Sequence, residues 1–202
     1  MVSKTGIERF QMVKKRHEKT FEKAVQEKKA DAQIIPLCRF LNQQPFFFTA
    51  SSCSGRIVVL RLDAQETKRE AAFFYKKHEK TNAKIVWNKI NEKTTDILWF
   101  KQEPFILHLG TNSLENANRV LVCARKAGIK RAGIIVAKTG KFLIELIGTH
   151  GMAIPVKKNN IILVEKDFFV FLVKQANKKL EINFERLKKF EKIVKKELRN
   201  QQ

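Results

Sequence analysis

The sequence predicts an α+β domain in which a central mixed, largely antiparallel sheet is flanked by helices. Residues 4–28 carry apolar side chains among many Lys and Glu, and the apolar side chains of residues 167–198 recur every three, four or seven positions. Both patterns are typical of long amphipathic helices. Between these segments the apolar period changes to two, the period of β-strands. No Pro-, Gly- or Ser-rich linker divides the chain, so we expect one domain over residues 1–202, with an internal duplication of strands and helices as an option.

The elements of the N-terminal half follow from these periods. After the first helix, Ile34, Leu37 and Leu41 form the apolar stripe of a second helix, which Asp31 caps unless Pro36 shifts its start. Alternating apolar residues and turn signals then predict a run of short elements. These are strands around 46–50, 56–62 and 71–77, a helix near 82–91, and strands around 96–100 and 105–109.

The C-terminal half begins with a capped helix. Ser113 suits its N-cap and Gly128 its left-handed C-terminus. Short strands around 134–137 and 142–147 then flank a turn, and residues 161–164 add an edge strand. We expect the final helix to pack on the sheet or on the first helix; a projecting basic coiled-coil arm is the alternative.

The charge of the chain indicates a polyanionic partner. Its 202 residues include 41 Lys and Arg against 20 Asp and Glu, a formal net charge of +21. The cations are spread along the whole chain, which favours nucleic acid over a membrane surface. Lysine enrichment without a specific partner is the alternative. No apolar run approaches the roughly 18 residues that a membrane helix needs, so we expect a cytoplasmic protein.

The cysteines and histidines predict neither disulfides nor a metal site. Cys38, Cys53 and Cys123 are widely spaced without any Cys-x-x-Cys pattern, and the four histidines lack ligand spacing. Cys38 and Cys123 lie on apolar helical patterns and are expected in the core. Cys53 alone has unusual neighbours.

Those neighbours form the most informative segment, residues 46–57, where an apolar strand is interrupted by small polar residues. Gly55 permits a positive φ, successive Ser groups offer hydrogen-bond donors, and Arg56 adds a planar charge. This pattern is typical of an anion-binding loop, and an ordinary Ser-rich turn is the alternative. Neither a G-x-G-x-x-G motif nor a P-loop is present, so a nucleotide-like cofactor would be bound differently.

Two further segments carry candidate chemistry. His108 follows an apolar strand and Glu103 precedes it, so a carboxylate and an imidazole are placed to meet at a strand end; a buried core histidine is the alternative. Residues 148–151 have the G-x-x-G spacing of a KH loop but follow a strand pattern, which makes a turn exposing His150 the alternative.

Taken together, these segments resemble the tRNA wybutosine-synthesizing protein 3 family in its compact, single-domain archaeal form. Residues 47–57 read FFTASSCSGRI and are similar to the family's FFT-x-SSC-x-GRI segment. His78, the EPFILH segment at 103–108, the THG segment at 149–151 and the closing helix with Asn177 follow at family-like intervals. The chain departs from the family pattern at 128–134, where Ile, Lys and Ala replace an aromatic residue, an arginine and a serine.

The resemblance implies an S-adenosylmethionine-dependent tRNA methyltransferase that lacks the Rossmann methyltransferase fold. The expected reaction is N4-methylation of the aminocarboxypropyl-demethylwyosine base next to the anticodon of tRNA-Phe. The expected partner is that anticodon stem-loop, with no DNA, no membrane and no metal. A non-catalytic basic RNA-binding module is the alternative, and an architectural basic protein of chromatin or ribosome ranks below it.

Residue roles are hypotheses that rest on the resemblance. The cofactor is expected to contact residues of the polar loop, namely Ser51, Ser52, Cys53, Ser54, Gly55 and Arg56. The catalytic candidates are His150, which would accept the N4 proton or orient the base, and Glu103 and His108, which would form the opposite wall. Residues expected to contact the substrate are His78, Lys130, Arg131, Gly133, Thr149 and Asn177.

Overall fold

The structure is a computed structural model that describes residues 4–63 and 72–199 of the chain. In chain order its elements are α1 (Lys4–Gln26), α2 (Ile35–Gln43), β1 (Phe47–Cys53), β2 (Arg56–Leu62), β3 (Ala72–Lys77), α3 (Ala83–Asn91), β4 (Ile97–Glu103), β5 (Ile106–Thr111), α4 (Leu114–Ala127), β6 (Arg131–Lys138), β7 (Lys141–Ile147), β8 (Met152–Lys158), β9 (Ile161–Ile162) and α5 (Lys166–Arg199). The α+β class and the long terminal helices are therefore confirmed.

The chain divides into two compact units. Unit 1 comprises Met1–Ser54, Phe105–Thr149 and Phe184–Gln202, and unit 2 comprises Gly55–Pro104 and His150–Asn183. The strands form two sheets where the sequence predicted one, and every strand pair in the described part of the chain is antiparallel, so no mixed sheet is present there. The single domain over 1–202 and the internal duplication stay predictions.

Unit 1 contains the four-stranded sheet, in the order β1-β5-β7-β6. One face of this sheet buries alternate residues of its central strands, such as Leu107, Leu109, Ile144 and Leu146. Apolar residues of α2, α4 and the second half of α5 complete the same cluster. Because side chains alternate between faces of a strand, the residues between these core positions point to the opposite face.

Unit 2 contains the five-stranded sheet, in the order β3-β2-β4-β8-β9. Its buried face includes Ile57, Val59 and Phe100, and Phe169 of α5 packs on Phe100 with the ring centroids 5.2 Å apart. Trp87 of α3 contacts the same Phe169 ring at 5.4 Å. The helices of unit 2 therefore cover this face of the sheet.

The final helix has a buried apolar stripe along its length. Phe169 and Leu180 are fully buried in unit 2, and Phe190 and Val194 are fully buried in unit 1. The alternative of a projecting coiled-coil arm is therefore wrong. None of the helices in the described segments has a stretch long and apolar enough to cross a bilayer.

Two helix boundaries agree with the sequence and one strand was missed. The Ser113 hydroxyl accepts a hydrogen bond from the Asn116 amide at 3.1 Å, and Gly128 ends α4 with φ of 81°. Strand β8 was not predicted because it contains Pro155, which lacks the amide proton that a central strand needs. The structure accommodates Pro155 because β9 pairs only with Lys157 and Lys158, which leaves β8 an edge strand at the proline.

Candidate functional site

The polar loop predicted from the sequence joins β1 to β2. Strand β1 ends at Cys53 and β2 begins at Arg56, so Ser54 and Gly55 form the connection. Gly55 has φ of 101°, which confirms the predicted need for a residue without a Cβ. Ser54 is fully buried.

Asp31 of unit 1 holds Ser54 in place. Its Oδ2 accepts a hydrogen bond from the Ser54 backbone amide at 2.7 Å and another from the Ser54 hydroxyl at 3.2 Å. The prediction that Asp31 caps α2 is therefore wrong, because α2 begins at Ile35 with Pro36 in its first turn and has no side-chain cap. Sequence reasoning missed the loop contact since the two residues are far apart in the chain.

A three-residue hydrogen-bonded row crosses the sheet of unit 1. The Ser51 hydroxyl lies 2.5 Å from Nδ1 of His108, and His108 Nε2 lies 2.9 Å from Oε2 of Glu145. Cross-strand register explains the row, because Ser51 pairs with His108 between β1 and β5, and His108 pairs with Glu145 between β5 and β7. An ionised Glu145 requires the proton on Nε2, so Nδ1 accepts from the Ser51 hydroxyl.

Ser52 points to the other side of β1 from Ser51. Its hydroxyl is hydrogen-bonded to the thiol of Cys38 on α2, and burial raises the pKa of that thiol to about 11. Cys38 and Cys123 are both buried, as predicted, and burial also raises the pKa of Cys123. Cys53 is half-buried. The adjacent serines of the motif therefore serve different faces of one strand.

In unit 2, Arg56 is fixed by an ion pair and an aromatic ring. Its Nε donates to Oε2 of Glu103 at 2.5 Å, and its guanidinium carbon lies 4.7 Å from the centre of the Phe73 ring. The sequence placed Glu103 beside an imidazole, but its carboxylate pairs with Arg56, and the carboxylate bonded to His108 is Glu145. Glu145 was not predicted, since only the strand register brings it beside His108.

The remaining candidates of unit 2 have mixed surroundings. His150 is half-buried, and its carbonyl accepts a hydrogen bond from the Asn183 side chain at 2.8 Å. The Asn177 side chain accepts from the Thr81 amide and donates to the Thr81 carbonyl, both at 2.9 Å. These two hydrogen bonds hold the segment that follows half-buried His78. In the structure the Asn177 side chain therefore binds the backbone of Thr81.

The last candidates lie in unit 1, where Lys130 precedes β6, Arg131 and Gly133 lie on β6, and Thr149 follows β7. Lys130, Arg131 and Thr149 are exposed. Gly133 on β6 pairs with Glu145 on β7, so it extends the row of Ser51 and His108 by one strand. A Cβ at Gly133 would have no neighbouring atom within 4 Å, which leaves open space beside Glu145.

The chain is similar to known proteins over most of its length. A family model described as Methyltransferase TYW3 matches residues 8–196. The chain is 33% identical over 174 residues to the tRNA wybutosine-synthesizing protein 3 homolog of Xenopus laevis, a match that covers 85% of this chain and 69% of that protein. It is 32% identical over 184 residues to the tRNA(Phe) 7-((3-amino-3-carboxypropyl)-4-demethylwyosine(37)-N(4))-methyltransferase 1 of Pyrococcus furiosus, covering 91% of this chain and 94% of that protein.

A solved structure of the PH1069 protein from Pyrococcus horikoshii has the same fold. It superposes with a TM-score of 0.87 at 31% identity, over 93% of this chain and 97% of that one. These matches confirm the non-Rossmann fold class, the resemblance seen in the sequence and the expectation of a methyltransferase. With most of its length matched by the family model, this chain belongs to the Methyltransferase TYW3 family.

Proposed function

We propose that this methyltransferase transfers a methyl group from S-adenosylmethionine to N4 of the aminocarboxypropyl-demethylwyosine base next to the anticodon of tRNA-Phe. The observation that carries the proposal is the polar loop of the family motif, held at Ser54 by Asp31 and continued by Arg56. The name of the Pyrococcus furiosus relative, which states this reaction, supports the choice of substrate.

The groups of the loop suit the polar parts of the cofactor. Ser51 is exposed and Ser52 and Cys53 are half-buried. The Ser51 hydroxyl, which donates its proton to His108, can still accept a hydrogen bond from a ribose hydroxyl of the cofactor. Ser54 is committed to Asp31 and instead gives the loop its shape. Bound S-adenosylmethionine supplies an electrophilic methyl group on its sulfonium, so the protein needs mainly to orient the acceptor and exclude water.

Two histidines are placed to handle the proton that the acceptor nitrogen loses. His108 has its ring fixed on both sides, by the Ser51 hydroxyl and by Glu145, and its imidazole takes up a proton through Nδ1. His150 is half-buried, and its carbonyl accepts a hydrogen bond from the Asn183 side chain at 2.8 Å. We assign proton transfer to one of these two histidines, and Glu103 is the residue that orients Arg56.

Charge supports tRNA as the substrate. A net charge of +21 attracts the phosphate backbone, and the base next to an anticodon lies in a single-stranded loop from which it can be extruded and read in a protein site. Arg56, held by Glu103, is the cation of the motif and is suited to a phosphate or to the carboxylate of the aminocarboxypropyl side chain.

Mass spectrometry of anticodon-loop nucleosides tests the proposal. Purified protein, cofactor and tRNA that carries the unmethylated base are incubated, and a mass gain of one methyl group on that base is expected. Arg56→Ala and His150→Ala should each reduce the transfer by more than tenfold, whereas Lys188→Ala, which removes an exposed cation on α5, serves as the matched control. Activity within threefold of wild type for both variants would remove their assigned roles.

Calorimetry separates the enzyme from a non-catalytic RNA-binding module. Saturable binding of S-adenosylmethionine to the protein alone is expected of the enzyme. Binding of tRNA that depends steeply on salt and is indifferent to the cofactor would instead favour the module.

A further inference from the structure

In the described part of the chain, the five-stranded sheet of unit 2 has one face covered by helices and an opposite face that is partly exposed, which we term the open face. Val58 on this face is buried and Trp99 is half-buried. Phe169 packs on the covered face through Phe100. On the open face, Phe73 is 46% exposed, and Ala153 and Pro155 are also exposed. A single exposed aromatic residue needs no explanation, so the argument depends on what surrounds Phe73 on this face.

Strand register places aromatic and basic side chains of the open face in two adjacent rows. In the first row, Leu60 pairs with Phe73 on β3 and with Trp99 on β4. In the second row, Val58 pairs with Lys76 on β3 and with Lys101 on β4. A bulge in β3 between Phe73 and Tyr75 brings Phe73 and Lys76 to the same face, which regular alternation would not do.

Each aromatic ring of the open face has a cation above it. The Lys76 ammonium lies 5.2 Å from the centre of the Phe73 ring, and the Lys101 ammonium lies 5.6 Å from a ring centre of Trp99. Arg56 adds the second cation on Phe73. Aromatic rings with interspersed cations on an open antiparallel sheet are the arrangement by which proteins stack unpaired bases and bind the phosphates between them.

The dimensions suit two nucleotides. Strands β3 and β4 flank β2, so Phe73 and Trp99 stand about 10 Å apart, and the two rows are separated by about 7 Å along the strands. Arg56 and Glu103 form the next row beyond Val58, since they pair directly between β2 and β4. Bases stacked on the aromatic row would thus lie on the same face as the arginine of the family motif.

We propose that the open face of unit 2 binds unpaired nucleotides of the tRNA anticodon loop, with Phe73 and Trp99 as stacking platforms and Lys76 and Lys101 as phosphate ligands. The proposal rests on the proposed function, because it takes the anticodon loop as the substrate. The flexible lysines leave the ring faces when a base stacks there, and their charges then neutralise the neighbouring phosphates. The positive charge of the face favours a polyanion as the occupant over a protein segment with few acidic residues.

Tryptophan fluorescence tests this assignment directly. The chain has two tryptophans, so Trp87→Phe leaves Trp99 as the sole tryptophan of the full-length protein, and its emission is excited selectively above the absorption of Tyr75. A synthetic anticodon stem-loop of tRNA-Phe should quench Trp99, and a fully paired RNA duplex of the same length should not. Phe73→Leu should weaken stem-loop binding about tenfold, within the range of one lost base stack. Phe168→Leu is the matched control, because Phe168 is 49% exposed but lies on α5.

The proposal requires both results. It is overturned if the stem-loop binds without quenching Trp99, if Phe73→Leu binds as tightly as Phe168→Leu, or if S-adenosylmethionine alone produces the quenching. Circular dichroism verifies that each variant is folded. Methyl transfer by the wild-type protein is measured in parallel. If methyl transfer occurs but the stacking results are negative, only the assignment of the open face fails. If methyl transfer is absent, the proposed function itself is contradicted.

Discussion

Asp31 and Ser54 are joined by two hydrogen bonds to one carboxylate oxygen, from the Ser54 amide at 2.7 Å and from its hydroxyl at 3.2 Å. Ser54 is fully buried, so both donors would lack a partner without this carboxylate. The polar loop between β1 and β2 is thus held in its shape by a residue that precedes a different element, α2.

Asp31→Ala should therefore both destabilise the protein and weaken cofactor binding. Leaving buried donors unpaired costs about 1–3 kcal/mol, and a loop free to change shape should bind S-adenosylmethionine about tenfold less tightly. Ser54→Ala keeps the amide hydrogen bond and should have the smaller effect on both measurements. Denaturant unfolding and calorimetry measure the two effects, with Glu185→Ala, at an exposed site on α5, as the control. Cofactor affinity unchanged in Asp31→Ala would contradict this role of Asp31.

Glu145 should act through His108. Glu145→Ala removes the acceptor of the Nε2 proton, so the imidazole loses its orientation towards Ser51, and we expect kcat to fall about tenfold with little change in KM for tRNA. Glu145→Gln retains an acceptor and should recover most of the rate, although it lacks the charge that stabilises a protonated imidazole. Its pH–rate profile should therefore differ from that of the wild type. Equal rates and identical profiles for all three proteins would exclude a positioning role.

The native thiols should differ sharply in reactivity. Cys53 is half-buried, whereas Cys38 and Cys123 are buried, and burial raises the pKa of both. A thiol reagent at pH 8 should label Cys53 alone in the folded protein and all three cysteines after unfolding. Labelling of two or more cysteines in the native state would show that the core around α2 or α4 opens readily.

Cys38 should also make stability depend on pH in the alkaline range. Its pKa is raised from 9.0 to about 11, so the folded state keeps a proton that the unfolded state has lost. The resulting stabilisation is present below about pH 9 and is lost as the pH rises towards 11, a decrease of roughly 2–3 kcal/mol in the free energy of unfolding. Denaturant unfolding at pH 8, 9.5 and 11 measures this decrease in the free energy of unfolding. Cys38→Ala is the control. Its lysines still titrate in this range, but the contribution of the Cys38 thiol to the pH dependence of stability is absent.

Two glycines of the segment that departs from the family pattern, residues 128–134, should respond differently to alanine. Gly128 has φ of 81°, and a Cβ there would meet the guanidinium of Arg186, which donates to the Ala127 carbonyl at 2.8 Å. Gly128→Ala should therefore destabilise the protein by about 1–2 kcal/mol. Gly133 has open space around its Cα, so Gly133→Ala should unfold like wild type, and any loss of activity would locate substrate beside Glu145. A reversed order of stabilities in thermal unfolding would refute this reading of the loop.

The elements predicted best were those specified by local chemistry. The N-cap at Ser113, the left-handed Gly128 and the positive φ of Gly55 each depend on the residue itself and its immediate neighbours. Strand β8 was missed because Pro155 opposes strand structure locally, and it is tolerated only where β9 has already ended. Asp31 was assigned to the wrong partner for a similar reason, since a helix cap is a local expectation and its actual partner is distant in sequence.

The sequence by itself determined the α+β class, the helix and turn signals, the excess of cations and the motif that identifies the family. Each of these depends only on neighbouring residues or on composition. Tertiary structure alone decided that the strands form two sheets, that Glu145 and not Glu103 accompanies His108, and that Glu103 holds Arg56. The physical reason is strand register. Which side chains share a row across a sheet depends on how distant strands align, and a shift of one residue would move every one of them to the opposite face.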